Sequence, residues 1–121
     1  MKKNQNAHIF ITGGSSGIGY CAALELLKSG YQLTLPCRDA STSEKLFNKL
    51  QKNKSIEGDL LKSVNMPLID LSDLNTVKQC ASQLISQGVK IDTLILNAGL
   101  QYTGSKEPKW SSQNFELTFA V

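Results

Sequence analysis

Long apolar runs, paired cysteines and a strong excess of one charge are all missing from this sequence of 121 residues. No apolar stretch approaches the ~20 residues of a transmembrane helix, and the basic start precedes an apolar run too short for a signal peptide, so we expect neither. The three cysteines, Cys21, Cys37 and Cys80, are an odd number without the spacing of a metal site. We therefore expect reduced structural thiols in apolar surroundings, a cytoplasmic location and no metal centre.

Charge and hydrophobicity fit one ordinary folded domain over residues 1–121. Thirteen basic and ten acidic residues give a net charge of +3, and 40% of the residues are hydrophobic. Lysines make residues 41–62 locally basic, which would suit a phosphate-rich partner such as nucleic acid. Phe47 is the one aromatic residue among those lysines, so a solvated helix face is favoured and we expect no nucleic-acid partner.

Apolar runs of strand length alternate with helical patterns along the chain. The strands are predicted within residues 8–12, 31–35, 64–71 (centred on 66–69) and 91–96, and the helices over 17–29, 41–53, 72–88 and from 111 onward. Ser41 and Glu44 have the spacing of a capping box, and Ser72 and Ser111 are the expected caps of the last two helices. Apolar strands separated by amphipathic helices predict an α/β fold whose parallel sheet is covered on both faces.

The first predicted strand runs directly into a glycine-rich turn, Thr12-Gly13-Gly14-Ser15-Ser16-Gly17-Ile18-Gly19. Glycines at 13, 17 and 19 allow a sharp turn, a close approach of the backbone to a ligand and tight packing of the next helix on the sheet. The unpaired amides at the start of that helix would hold a pyrophosphate, with hydroxyl donors from Ser15 and Ser16. The alternative is a turn that binds no ligand, which the strand before it and the helix after it disfavour.

This turn has the Thr-Gly-x-x-x-Gly-x-Gly spacing of the cofactor fingerprint of the short-chain dehydrogenase/reductase family, which the sequence resembles at three further strand ends. These are Cys37-Arg38-Asp39, Asp70-Leu71 and Asn97-Ala98-Gly99, and the matching pieces extend over almost the whole chain. Lys106-Glu107-Pro108 and Phe115-Glu116-Leu117 resemble the branch that holds retinol dehydrogenase-like and protochlorophyllide reductase-like enzymes. The resemblance implies a truncated three-layer Rossmann-type fold with strand order 3-2-1-4.

The resemblance also implies a dinucleotide cofactor. The residues at the end of the second strand indicate whether it is NAD(H) or NADP(H). NAD-dependent proteins place an acidic side chain there to bind the ribose hydroxyls. In this sequence the place is taken by Cys37, which repels no phosphate, followed by Arg38, whose guanidinium can bind a 2′-phosphate. NADP(H) is therefore favoured over NAD(H). The alternative for Arg38 is a surface salt bridge with Asp39 or Glu44, and Asp39 itself is interpreted as a helix-entry or surface residue rather than a ribose ligand.

By resemblance, Asp70 would accept a hydrogen bond from the adenine amino group with Leu71 beside it, although Asp70 equally suits a helix N-terminus. Asn97 would tie the fourth strand to the first, with Thr12 as a candidate partner, and Ala98-Gly99 would leave room for a ribose; a turn-forming asparagine is the plainer alternative. The implied cofactor-binding residues are Gly13, Ser15, Ser16, Gly17, Ile18, Gly19, Arg38, Asp70, Leu71, Asn97, Ala98 and Gly99.

The catalytic pair of this family is a Tyr-x-x-x-Lys on one helix face, and Tyr102 and Lys106 reproduce that spacing. Gly104 and Pro108 disfavour a helix there, and the family's pair follows a fifth strand, so we interpret residues 100–109 as a loop and assign no catalytic residue. We expect the cofactor-binding portion of an NADP(H)-dependent oxidoreductase, inactive by itself, whose complete form transfers a hydride to or from a carbonyl, alcohol or double bond.

Two alternatives stay open at this stage. The chain could be a non-catalytic module that binds NADP(H) or a partner, or it could be a truncated product without activity. The open edge of the fourth strand and the apolar positions after Ser111 predict exposed surfaces that favour self-association.

Overall fold

The computed structural model describes residues 7–100 and 106–121, and within them four parallel strands form one sheet. The strands are β1 (His8–Ile11), β2 (Gln32–Thr34), β3 (Val64–Asn65) and β4 (Thr93–Ile95), in the order β3-β2-β1-β4. Ile9 of β1 pairs with Leu33 on one side and with Thr93 on the other, so β1 lies between β2 and β4. The predicted strand order and the parallel Rossmann-type sheet are confirmed.

Over the same described ranges, four α-helices accompany the strands. They are α1 (Gly17–Lys28), α2 (Ala40–Lys52), α3 (Leu74–Ser86) and α4 (Leu117–Ala120); a 3₁₀ helix that the sequence patterns did not predict spans Gly58–Ser63. Just beyond α1 and α3, Gly30 and Gly88 have φ values of 88° and 68°. This left-handed conformation, which is costly for any residue with a Cβ, turns the chain away from each helix and towards the next strand.

The core lies on both faces of the sheet, because successive residues of a strand point to opposite sides. Ile9 and Ile11 belong to a buried cluster shared with α1, α2 and β2. Phe10, which lies between them in β1, belongs instead to a second buried cluster with Cys80 and Leu84 of α3. The helices thus form layers above and below the sheet, as predicted.

The α3 face is covered incompletely at the β4 side of the sheet. Within the described residues β4 pairs with β1 alone. Leu94 in β4 is 57% exposed and Leu96 just after it is 76% exposed. The expectation of a sheet covered on both faces therefore holds for β1 and β2 and fails at β4.

Helix α2 begins one residue after Asp39, whose carboxylate is its N-cap. The Asp39 side chain accepts hydrogen bonds from Thr42 N and Thr42 Oγ1, both at 2.8 Å. The backbone bond is the main cause that lowers the pKa of Asp39 below its usual value of 3.8. The prediction of Ser41 as the cap is wrong, because a charged carboxylate accepts an amide hydrogen bond more strongly than a hydroxyl and Ser41 is left inside the first turn.

Helix α3 is capped in the same way by Asp73, which accepts a hydrogen bond from Asn75 N at 3.0 Å. The prediction of Ser72 as its cap is one residue early. The Ser72 hydroxyl donates instead to Asp70 Oδ1 at 2.6 Å, which fixes the turn between the third strand and the helix.

The third strand lies earlier than the predicted centre at residues 66–69. Its ladder with β2 covers Val64–Asn65, and pairing then continues only as an isolated bridge between Cys37 and Leu68. Pro67 accepts a hydrogen bond from Cys37 N at 2.9 Å but has no N–H of its own. The proline therefore interrupts the ladder where the apolar pattern alone would continue it.

The prediction that the last helix begins at Ser111 is also wrong. Ser111 N donates to Phe115 O at 2.8 Å and Ser111 Oγ accepts from Phe115 N at 3.1 Å, which closes a turn instead. Asn114 in that turn has φ 64°, a left-handed conformation that a helix cannot include. Helix α4 begins only at Leu117, where the carboxylate of Glu116 caps it and the bonded amides of Thr118 and Phe119 lower the Glu116 pKa.

Candidate functional site

A cavity of about 420 Å³ lies at the carboxyl ends of the strands. Its lining residues include Thr12 after β1, Pro36 after β2, Ile69 after the β3 segment and Ala98 after β4. In parallel α/β sheets this edge is where ligands bind, because the loops that follow the strands converge there. The cavity is therefore the candidate functional site.

The glycine turn brings the backbone to the edge of this cavity, which Gly13 and Ser15 line. Gly13 has φ 69°, and a Cβ on it would lie 2.9 Å from Ala98 Cα. At Gly19 a Cβ would overlap the carbonyl oxygen of Gly13 and Nδ2 of Asn97. Only glycine at these two positions lets α1 pack closely behind the turn.

The start of α1 differs from that of the other α-helices. Ser16 is its N-cap but makes no side-chain capping bond, and its first turn holds no acidic residue. Helices α2, α3 and α4 are each capped by a carboxylate. The first amides of α1 thus lack a capping side chain, which leaves the partial positive charge of the helix uncompensated by its own residues.

Thr12 joins the carboxyl ends of β1 and β4. Its Oγ1 accepts hydrogen bonds from Asn97 N at 3.1 Å and Ala98 N at 3.0 Å. Asn97 Nδ2 donates to Gly13 O at 3.2 Å, across the same junction. The predicted tie between Asn97 and the first strand is therefore present, with Thr12 as its partner.

Arg38 and Cys37 line the cavity where the chain leaves β2. The Arg38 side chain is 74% exposed, and its Nε lies 3.6 Å from Asp39 Oδ2. Burial, followed by the charge of Asp39, raises the pKa of the Cys37 thiol above its ordinary value of 9.0, so this side chain is neutral at pH 7. The ion pair that the sequence left as the alternative for Arg38 is present, but it is long and solvated, so it leaves the guanidinium at the cavity.

Asp70 and Leu71 also line the cavity, together with Ser72. Asp70 Oδ1 accepts hydrogen bonds from Ser72 N at 2.9 Å and from Ser72 Oγ. These bonds fix the carboxylate in a turn before α3, which agrees with the structural alternative for this residue. Among the described residues Asp70 Oδ2 makes no hydrogen bond.

The structure brings part of the predicted set together at the cavity wall. Of the residues that the sequence predicts, those lining the cavity are Gly13, Ser15, Arg38, Asp70, Leu71 and Ala98. Ser16, Gly17, Ile18 and Gly19 form the start of α1, Asn97 lies behind Gly13, and Gly99 is exposed in the loop that follows. Tyr102, the tyrosine of the rejected Tyr-x-x-x-Lys pair, lies outside the described residues.

Sequence patterns missed several other residues of the wall. Leu117 and Val121 line the cavity from α4 and the residue that follows it, alongside Leu100 and Thr42. Leu117 and Val121 are four residues apart, a spacing that predicts a shared helix face. The spacing does not predict that this face lines the cavity. The expectation that all three cysteines lie in apolar surroundings is wrong for Cys21, which is exposed.

No helix among the described residues is long and apolar enough to cross a membrane. Nor do three or more histidine, cysteine, aspartate or glutamate side chains come together there in a group that could hold a metal ion.

The sheet order and the glycine turn are those of a Rossmann-type α/β protein. The family model described as short chain dehydrogenase matches residues 7–121, and the chain belongs to this family. Retinol dehydrogenase 13 of Homo sapiens is 33% identical over 115 residues, a match that covers 93% of this chain and 32% of that protein. The chloroplastic protochlorophyllide reductase of Chlamydomonas reinhardtii is 31% identical over 115 residues, covering 94% of this chain and 27% of that protein.

Solved structures agree with the fold. An alcohol dehydrogenase from the archaeon Thermococcus sibiricus, solved in complex with 5-hydroxy-NADP, superimposes with a TM-score of 0.68 at 28% identity, covering 96% of this chain and 46% of that one. The chain thus spans about a third of the length of the curated relatives and less than half of this structural neighbour.

Proposed function

We propose that residues 1–121 form a single NADP(H)-binding domain, the cofactor-binding portion of a short-chain oxidoreductase. The observation that carries the proposal is the cavity in which the glycine turn before α1 and the Arg38 side chain meet. The solved complex of the Thermococcus sibiricus alcohol dehydrogenase with 5-hydroxy-NADP supports it from outside the chain. The cofactor, when bound, would supply or accept a hydride.

The residues present fit a dinucleotide. Gly13 and Gly19, where a Cβ would clash with Ala98 and with Gly13 O, let α1 pack close behind the turn, and the start of a helix held in this way is a site that anionic groups favour. The first amides of α1, which no side chain caps, would donate to the pyrophosphate, with Ser15 and Ser16 beside them. Asp70, Leu71, Ala98 and the other predicted residues of the turn would hold the adenosine and ribose parts, as the family resemblance implies.

The preference for NADP(H) over NAD(H) rests on the charges after β2. Arg38 is the single arginine of the sequence and lies at the cavity, while Cys37 before it is neutral. Oδ1 of the Asp39 carboxylate, which could otherwise bind a ribose hydroxyl, accepts hydrogen bonds from the amide and the hydroxyl of Thr42, and Oδ2 faces Arg38 Nε. A 2′-phosphate would therefore meet the exposed guanidinium of Arg38 at this point of the wall.

Titration calorimetry with NADPH and NADH tests this preference. Arg38→Ala should weaken NADPH binding about tenfold, since a charge-assisted pair at an exposed site contributes roughly 1–2 kcal/mol, and should leave NADH binding unchanged. Lys62→Ala is the matched control, because it removes one positive charge from the opposite edge of the sheet. Equal affinities of the unaltered chain for the two cofactors, or an unchanged NADPH affinity in Arg38→Ala, would contradict the preference.

A second proposed function is association with a partner chain, with self-association as its simplest form. A second cavity, of about 370 Å³, opens on the α3 face and is lined by apolar side chains such as Phe10, Val77 and Leu94. Beside it Ile85 is 77% exposed and Leu96 76% exposed. Light scattering across a concentration series should show dimers or larger species, and a monomer at every concentration would refute the proposal.

We also propose that the chain is inactive by itself and that its location is the cytoplasm, where three free thiols stay reduced. Among the described residues, none that lines the cavity is a tyrosine or a lysine, the two residue types that the family's chemistry requires. Turnover of a carbonyl substrate by the purified chain would contradict this part of the proposal.

A further inference from the structure

The turn before α4 is attached to the start of α3 by three hydrogen bonds. Ser112 N donates to Ser72 O at 2.9 Å. The side-chain amide of Gln113 then makes two bonds: its Oε1 accepts from Leu74 N at 2.9 Å and its Nε2 donates to Asp73 Oδ1 at 3.0 Å. A half-buried glutamine thus joins segments 40 residues apart in the chain.

The two ends of the Gln113 amide match what they meet. Leu74 is the first residue of α3, whose amide has no partner within the helix, and Asp73 is the carboxylate cap of the same helix. An acceptor is needed at the amide and a donor at the carboxylate, and a primary amide supplies both at the spacing required. Alanine at 113 would supply neither.

The turn that carries Gln113 is held internally as well. Leu117 N donates to Lys109 O at 2.8 Å, and Ser111 exchanges backbone hydrogen bonds with Asn114 and Phe115. Because the turn is closed at its base, the point where Gln113 fixes it also sets the position of Leu117. This residue and Val121 line the same cavity as Leu71.

We infer that Gln113 is a positioning residue, which holds Leu117 and Val121 in place as an apolar wall of the cavity against the adenosine half of the cofactor. The inference rests on the proposed function, because it assumes that an adenosine occupies the part of the cavity lined by Asp70, Leu71 and Arg38. Gln113 touches no cofactor itself; it acts through the turn and through α4.

Adenosine 2′,5′-bisphosphate, the adenosine half of NADP, is the probe that reports on this wall. We expect its affinity, measured by titration calorimetry, to fall about five- to tenfold in Gln113→Ala, since two hydrogen bonds that position the wall are lost. Gln83→Ala is the matched control, because it removes the same side chain from an exposed position of α3. Its affinity should equal that of the unaltered chain.

Trp110, the single tryptophan, lies in the same turn and bridges to Glu116. If Gln113 holds the turn, the fluorescence anisotropy of Trp110 should fall in Gln113→Ala and stay unchanged in Gln83→Ala. Addition of the bisphosphate should raise the anisotropy again, at a higher concentration than the unaltered chain requires. If Gln113→Ala lowered only the overall stability of the fold, the bisphosphate concentration that raises the anisotropy would equal that of the unaltered chain. This result would overturn the positioning role.

The outcomes separate the two proposals. Binding by the unaltered chain with equal affinity in Gln113→Ala overturns the positioning role and leaves the cofactor proposal standing. No binding by the unaltered chain overturns both. If Gln113→Ala does not fold, Gln113→Asn replaces it; this side chain is one methylene shorter and cannot make both bonds, and an affinity equal to that of the unaltered chain would again overturn the inference.

Discussion

Replacement of Gly19 by alanine tests the close packing of α1 behind the glycine turn. Gly19 lies inside α1, where alanine is intrinsically favoured over glycine by about 1 kcal/mol. A Cβ there, however, would overlap Gly13 O and Asn97 Nδ2 and lie 2.8 Å from Gly13 C. Propensity and packing therefore predict opposite signs for the change in stability.

The magnitude follows from the atoms that must move. Forcing extra volume against backbone costs about 1–3 kcal/mol, and displacing the hydrogen bond from Asn97 to Gly13 adds about 1 kcal/mol. After subtraction of the helix propensity, Gly19→Ala should lower the free energy of unfolding by about 1–3 kcal/mol. At about 4 °C per kcal/mol this is a fall in Tm of about 4–12 °C.

Urea and thermal unfolding followed by circular dichroism measure this change, with two glycines as controls. Nothing lies within 4 Å of a Cβ at Gly58 or at Gly17. Gly58→Ala should change stability by less than about 0.5 kcal/mol. Gly17→Ala should cost about 1–2 kcal/mol for its φ of 57° alone. If Gly19→Ala is as stable as the original chain or more stable, the packing argument is refuted.

Two further predictions concern titratable groups. Because the pKa of Asp39 is lowered below 3.8, the stability that this group contributes is present above that pH and is lost as the pH falls through the folded-state pKa. Asp39→Asn should flatten the acid limb of the stability curve; identical curves for Asp39→Asn and the original chain would contradict this. Iodoacetamide at neutral pH should modify exposed Cys21 well before Cys37 and Cys80, whose burial raises their pKa, and mass spectrometry showing equal rates would oppose it.

The sequence predicts the fold well where a pattern repeats over several residues. The alternation of apolar strands and amphipathic helices, with the glycine turn between the first two, was enough to predict the parallel sheet and its edge with the cavity. Helix starts were less predictable, because serine and aspartate neighbours compete for the same amide. At both Ser41 and Ser72 a nearby aspartate is the cap instead, since the charged acceptor forms the stronger bond.

The part of the site that sequence patterns could not predict is assembled by distant contacts. Nothing local to Gln113 indicates that its amide meets the start of α3, and nothing local to Val121 indicates that it lines the same cavity as Leu71. Asn114 shows the same limit at short range, because its left-handed backbone ends an otherwise acceptable helical pattern. Such features depend on where the chain folds back, which periodicity does not encode.

The difference in capping between α1 and the other α-helices has a consequence for stability. In α2, α3 and α4 the carboxylate cap supplies a negative charge at the positive end of the helix dipole, so this favourable interaction forms as soon as the chain folds. Helix α1 has no such carboxylate, so the negative charge at its start would have to come from an anion in solution. An anion that bound there would stabilise the folded chain, and the gain would grow with the anion's concentration relative to its Kd.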